Sequence, residues 1–216
     1  MNTLNHWHKD RINHAAPSLK EGITFFAKAN FILLIFLFLF ISRMDYKSLG
    51  GDELTISFLI IVSAELFIIP LSIFTWRSPR KKVTKQKPFS KNEMLGMLIA
   101  IIILFAFSSL FVVAGLPIPT TLIMLILITN FMFALYSLLF HNVAILIHES
   151  NVHASSGSII SYVFKYIAIA FSGLNYFVQT TLRNTPLLVN KLFAVVFVIL
   201  LLWENSLVLF YFDNYY

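Results

Sequence analysis

The chain has 216 residues, 58% of them hydrophobic and only 12% charged, with a mean hydropathy of +0.82. A soluble domain carries roughly a quarter charged residues to cover its surface, so this composition excludes a single water-soluble core and points to an integral membrane protein. The absence of cysteine excludes disulfides, thiolate metal sites and a cysteine nucleophile, and the formal charge of +6 matters in a membrane protein through the placement of the basic residues more than through their sum.

Residues 1–22 are polar, with Trp7, three histidines, Asp10 and Lys20. They lack the plan of a cleaved signal peptide and read as a cytoplasmic N-terminal segment, so the first apolar run is expected to stay as an anchor. A bilayer-spanning helix needs about twenty mainly apolar residues, because lipid offers the backbone no hydrogen-bond partners. Six stretches meet that length: 23–42, 54–76, 95–116, 120–140, 159–182 and 187–212. The expected fold is all-α, a polytopic helical membrane bundle forming one domain over 23–212, with a short tail at 213–216. Six spans are the leading count, with five or four as alternatives.

The ends of these stretches carry helix-start chemistry. Ser18-Leu19-Lys20-Glu21 and Ser90-Lys91-Asn92-Glu93 fit the capping box, in which serine and glutamate satisfy free amides of the first turn. Asp52 follows Gly50-Gly51 and is expected to cap the second helix. Pro186 after Thr185 suits a helix start, where its missing amide hydrogen leaves nothing unpaired. The short turn Gly115-Leu116-Pro117-Ile118-Pro119 makes the third and fourth helices an antiparallel hairpin.

Orientation is read from the basic loop at 77–94. The segment TWRSPRKKVTKQKPFSKNE holds Arg77, Arg80, Lys81, Lys82, Lys85, Lys87 and Lys91, whereas the loop from Arg43 to Glu53 has two basic and three acidic residues. Positive residues stay cytoplasmic in short loops, which puts this loop and the N-terminus inside. The cations set topology and meet anionic lipid, or they form a docking surface for an acidic cytosolic partner. Direct nucleic-acid binding is not expected, because no aromatic residues interleave with the charges.

The fifth stretch carries Ser161, Lys165, Ser172, Asn175 and Gln179 in one narrow stripe at about 100° per residue. A span whose polar seam faces other helices is favoured over an interfacial helix, since interfacial helices usually carry several lysines. That choice leaves Arg183 and Lys191 outside, whereas a five-span arrangement keeps them inside.

Residues 141–158 form a polar segment, LIHESNVHASSGS at its centre, that invites an enzymatic reading. A zincin presents two histidines four residues apart on one helical face. Here His148 and His153 are five apart, which turns the second ring about 140° from the first. His141 and His148 share a face, but two imidazoles do not close a metal site. Ala154-Ser155-Ser156-Gly157 resembles the nucleophile motif of rhomboid proteases only faintly, because the leading glycine is missing and no later histidine supplies a base. The segment reads as a polar inter-helix connection, with Ser156-Gly157-Ser158 as turn and cap. No catalytic residue, metal or cofactor is assigned, and the chain is expected not to be an enzyme.

Two carboxylates fall inside apolar runs, Glu65 and Glu204. Ionised groups at such depth usually face protein, pair or stay protonated. In one reading they lock helices together, Glu65 by bonding Asn130 or pairing with Lys165 and Glu204-Asn205 by sitting in a wetter cytoplasmic third; in the other they serve ion passage or sensing. Pro70 is expected to bend the second helix and free the Leu66 carbonyl.

With this size, hydropathy and the TWRSPRKKVTKQKPFSKNE loop, the chain resembles the KwaA family, the membrane subunits of the Kiwa anti-phage defence system of bacteria. That resemblance covers most of the chain and involves no diagnostic motif, so no binding residue is carried over from it. It implies an oligomeric inner-membrane sensor working with a cytosolic partner similar to KwaB, which acts on nucleic acid. A bacteriocin-type membrane immunity protein has a similar profile.

The expectation is therefore a non-enzymatic inner-membrane sensor or scaffold that self-associates and couples membrane perturbation to a cytosolic protein. The small-residue spacing of Ala168 and Ser172 permits close helix approach along the seam. Its rival is an ion channel or small transporter in which Lys165, Ser172, Asn175 and Gln179 line a path and Glu65 gates or selects. A third class, an intramembrane hydrolase using His148, Glu149 or Ser156, fails on spacing.

Overall fold

A computed structural model describes residues 17–41, 51–77, 89–112, 118–153, 157–183 and 185–215; the side chains of 51–54, 153 and 212–215 also lie outside the described set. Among these residues the chain is entirely helical: α1 (Leu19–Ile41), α2 (Gly51–Arg77), α3 (Lys91–Ser109), α4 (Ile118–Leu139), α5 (His141–His153), α6 (Ile159–Leu182) and α7 (Leu187–Tyr215). All but α5, six helices, are long and apolar enough to cross a membrane. The chain is a helical, multi-pass membrane bundle, as composition and period require.

Local chemistry explains the helix ends. Ser90 caps α3 by accepting from the Glu93 amide at 3.1 Å, and Ser158 caps α6 by accepting from the Ser161 amide at 3.2 Å. Gly157 just before that cap has φ +78°, a conformation open to glycine at no steric cost. At α1 the Ser18 carbonyl accepts from the Glu21 and Gly22 amides. Asp52, expected as a cap, instead lies inside α2, which already begins at Gly51. Between α6 and α7 the Leu182 carbonyl gathers the Thr185 amide, the Thr185 hydroxyl at 2.7 Å and the Asn190 side chain at 2.9 Å, so one turn stitches both helix ends together.

The directions of the helices follow from paired residues. The Ser18 amide donates to the Trp76 carbonyl at 2.9 Å, so α1 starts where α2 ends. Gly22 makes this approach possible, because a Cβ there would stand 2.9 Å from Trp76 Cβ and 3.0 Å from the Ser72 carbonyl. Phe74 packs edge-on to Phe193 at 5.0 Å, Phe67 stacks on Phe197 at 5.4 Å and Ser63 reaches Glu204, so α2 and α7 are antiparallel. The Lys191 ammonium donates to the Leu138 carbonyl, which sets the start of α7 at the end of α4. Ser108 near the end of α3 meets Thr121 in the first turn of α4 at 3.4 Å, in keeping with the expected hairpin.

The connection between α4 and α6 departs from the sequence reading. Asn130 meets Ala170 and Asn175, and Ser137 meets Asn175 and Gln179. Advancing along α4 therefore advances along α6, and the two helices run in the same direction where they touch. The segment at 141–158, expected as a polar link at one end of the bundle, folds over 141–153 as α5 and runs back along α6, with His141 at Gln179 and His148 at Ser172. His141, His148 and Glu149 find partners on α6, and a helix here satisfies a backbone that a loop would leave unpaired.

Packing of α3 on α6 depends on Gly96. A Cβ there would run into the Tyr162 side chain and stand 3.0 Å from the Ile159 carbonyl. Gly96→Val should therefore destabilise the protein by about 1–3 kcal/mol, whereas Gly173→Ala, whose Cβ would meet only Ile169 Cγ2 at 3.7 Å, should leave it nearly unchanged. Thermal unfolding of the two variants in detergent checks the contrast.

Candidate functional site

The most polar part of the interior lies where α4, α5 and α6 meet. Ser172, Asn175 and Gln179 of the predicted seam are buried on α6, and Asn130 and Ser137, seven residues apart on α4, are buried opposite them. Asn130 spends its whole side chain on this contact. Its amide nitrogen donates to the Ala170 carbonyl at 2.9 Å and back to Ile126 at 2.8 Å, while Oδ1 accepts from the Asn175 backbone amide at 3.1 Å. Gln179 Nε2 donates to Ser137 Oγ at 2.8 Å and to Asn175 Oδ1 at 3.3 Å, and the Ser137 hydroxyl faces both the Ala134 carbonyl and Asn175 Oδ1.

This network extends onto α5 through two histidines. Gln179 Oε1 can only accept, so the His141 Nδ1 that meets it at 2.6 Å carries the hydrogen. The Ser172 hydroxyl lies 2.9 Å from the Ala168 carbonyl, and with its hydrogen there the His148 Nδ1–H donates to Ser172 Oγ at 2.8 Å. His148 also stacks on Tyr176 at 4.1 Å, and the Tyr176 hydroxyl donates to Glu149 Oε1 at 3.1 Å. The shared face of His141 and His148 thus serves docking onto α6. The His153 side chain and Ser156 lie outside the described residues. Among the described residues no three histidine or acidic side chains gather to hold a metal.

The lower half of the seam has a different partner. Lys165 pairs with Glu93 of α3 at 2.6 Å, with side-chain exposures of 22% and 12%, and the Tyr166 hydroxyl donates to the same oxygen at 3.3 Å. The ammonium also stands over the Tyr162 and Tyr166 rings at 5.7 and 5.5 Å. The expected pairing of Lys165 with Glu65 is therefore wrong, and so is that of Asn130 with Glu65, because Asn130 is spent on α6. Glu65 is half-buried, and its Oε2 has no hydrogen-bond partner among the described residues.

Glu204 is 8% exposed and accepts from Ser63 of α2 at 2.7 Å. Asn205 beside it is buried as well. Glu204 stands at the wall of a cavity of about 150 Å³ between α1, α2, α4, α6 and α7 whose other lining residues are apolar, among them Phe25, Phe67, Leu127, Phe177 and Phe197.

Of the basic set proposed for docking, Arg77 and Lys91 are described and exposed, while Arg80, Lys81, Lys82, Lys85 and Lys87 lie outside the described residues. Arg77 ends α2 beside the start of α1. Lys91 starts α3, where the adjacent Asn92 donates to the Gly157 carbonyl before α6 at 3.2 Å. The structure does not bring these two residues together.

Several seam residues escaped the sequence reading. Glu93 was assigned to a helix cap, and its second role depends on α3 meeting α6. Ser137 carried a signal in its heptad spacing from Asn130, and Ser63 had none. The chain matches no protein-family model, no curated protein and no solved structure.

Two outcomes follow from this geometry. Asn130→Ala removes two interhelical bonds and one within α4 and should lower stability by about 1–2 kcal/mol, near the upper range for polar contacts between membrane helices; thermal unfolding in detergent measures it. Burial is the main cause that holds the His141 ring below its ordinary value of 6.5, with Lys191 and Arg183 adding to it against the opposing Gln179 bond. A depressed histidine favours the docked state above its ordinary value, and that stability is lost as pH falls below about 6.5 toward the depressed value. The unfolding midpoint should fall on acidification through this window, and His141→Gln should flatten the fall.

Proposed function

We propose that the protein is a non-enzymatic sensor or scaffold subunit of a bacterial inner membrane, one that self-associates and passes a change in the membrane to a cytosolic protein. The observation that carries this reading is the closure of the polar seam. Asn130, Ser137, Asn175, Gln179 and His148 are spent on one another and on backbone groups, and His141 joins them through Nδ1, while its Nε2 has no hydrogen-bond partner among the described residues. A conducting path needs polar groups facing water. Here they face other helices, and the central cavity is apolar.

A closed lattice of this kind suits an element with two packings. Its bonds hold α5 against α6 in one arrangement, and a perturbation of the surrounding lipid that separates the helices exchanges all of them together. The basic loop at 77–94 is the surface that would report the change, with its cytoplasmic placement and N-terminus inside following from the charge rule. The likeness to the KwaA family supplies the setting, anti-phage defence with a cytosolic partner similar to KwaB, and direct nucleic-acid contact is left to that partner.

Reconstituted protein should be electrically silent in liposomes under several ionic conditions, and Glu65→Gln should change nothing; steady single-channel currents altered by Glu65→Gln would sink this reading in favour of a channel. Charge reversal of Lys81, Lys82 and Lys85 to Glu should remove the cytosolic partner from detergent pull-downs, and undiminished recovery of every partner would refute the docking role.

A further inference from the structure

The two ends of α6 stand beside the two described ends of the basic loop. At the C-terminal end, Phe177 stacks on Phe25 of α1 at 4.4 Å, and the start of α1 is bonded to Trp76, next to Arg77. At the N-terminal end, Asn92 reaches Gly157, Glu93 pairs with Lys165 and Gly96 lies against Ile159 and Tyr162, next to Lys91. With 24 residues, α6 is about 36 Å long. Residues 78–90 connect its two ends, and an extended chain of that length reaches roughly 45 Å, enough to follow the helix.

Length alone would also let this connection pass through a bilayer. Its composition forbids that, because Arg80, Lys81, Lys82, Lys85 and Lys87 stand in it without one acidic residue, and such a stretch does not enter hydrocarbon. Both ends of the loop belong to one membrane face, and so do the two ends of α6.

We infer that α6 does not cross the bilayer, although it is long enough to do so. With α5 folded back on it, α6 forms a hairpin bedded in the membrane face that carries the basic loop, in contact with an anionic phospholipid surface. The remaining helices α1, α2, α3, α4 and α7 are the spans.

Independent features agree. The mean hydropathy of α6 is 1.2, the lowest of the six long helices, against 1.9 to 2.4 for the others. Ile160 and Phe164 point outward from it, 69% and 59% exposed, as anchors for acyl chains. Asn142, Ser150 and Asn151 are exposed on α5, as suits a helix that meets water. Five spans bring Lys20, Arg77, Lys91, Arg183 and Lys191 to one face, which removes the conflict between charge and hydropathy met in the sequence. Among the described residues, Arg183 just after α6 and Lys191 of α7 lie close enough to His141 to depress its ring, and they form a cationic rim beside the exposed Leu187 and Leu188. Lipid phosphates fit that rim.

This inference rests on helix contacts and charge, and is independent of the sensor reading. The chain is free of cysteine, so single cysteines at Lys82, Ser150, Arg183 and Leu110 can be probed with an impermeant maleimide in sealed vesicles of known orientation. Lys82→Cys, Ser150→Cys and Arg183→Cys should label from the same side, and Leu110→Cys, at the far end of α3, from the other. Labelling of Arg183→Cys from the side opposite Lys82→Cys would restore α6 as a span and overturn the inference. Each variant is first required to elute as the parent does in size exclusion. In the same preparations, the anionic phospholipid retained per chain should fall by about twofold or more in Arg183→Gln/Lys191→Gln; an unchanged amount would overturn the lipid contact.

Discussion

The fold depends on one constraint: a polar group removed from water must find its hydrogen bonds within the protein. Asn130 shows how far this shapes the molecule. Its amide makes bonds to a carbonyl and a backbone N–H of α6, so it fixes the depth at which α4 and α6 touch and the direction in which they run. Ser137, two turns further along α4, and Gln179, one turn beyond Asn175 on α6, repeat the constraint, and the two histidines of α5 extend it. Apolar packing permits many relative placements of greasy helices; these few bonds select one.

The same constraint explains why the polar segment after α4 turns back. Left as a loop it would carry unpaired amides at the edge of the bundle. As α5 it satisfies its own backbone and uses His141, His148 and Glu149 on α6. Of the residues that look catalytic in the sequence, His148 and Glu149 are taken up by this docking. The two acidic residues within apolar runs behave differently from each other. Glu204 is tied to Ser63 beside a cavity whose other walls are apolar, whereas Glu65 keeps one oxygen without a partner among the described residues.

Aromatic residues do the rest of the packing. Phe67 and Phe74 of α2 meet Phe193 and Phe197 of α7, Phe25 stacks on Phe177, and Phe40 meets Tyr211 edge-on at 5.1 Å. These large rings fill the bundle where small residues such as Gly22 and Gly96 let backbones approach. In lipid, where there is no hydrophobic drive between helices, such shape matching and the polar seam are what hold the helices in place.

Much was legible in the sequence because it is local. The apolar runs, the serine caps at Ser90 and Ser158 and the short α3–α4 turn each depend on residues within a few positions of one another, and the α-helix is the only way for such runs to satisfy their backbone in lipid. The stripe of Ser172, Asn175 and Gln179 followed from helical period alone, and with it the expectation that this face meets protein. What the tertiary structure decided is who meets whom. Lys165 takes Glu93 rather than Glu65, Glu204 takes Ser63, α5 is a helix, and α4 and α6 run the same way where they touch. Each of these is a contact between residues dozens of positions apart, set by the relative placement of whole helices, and period and hydropathy carry no information about that placement.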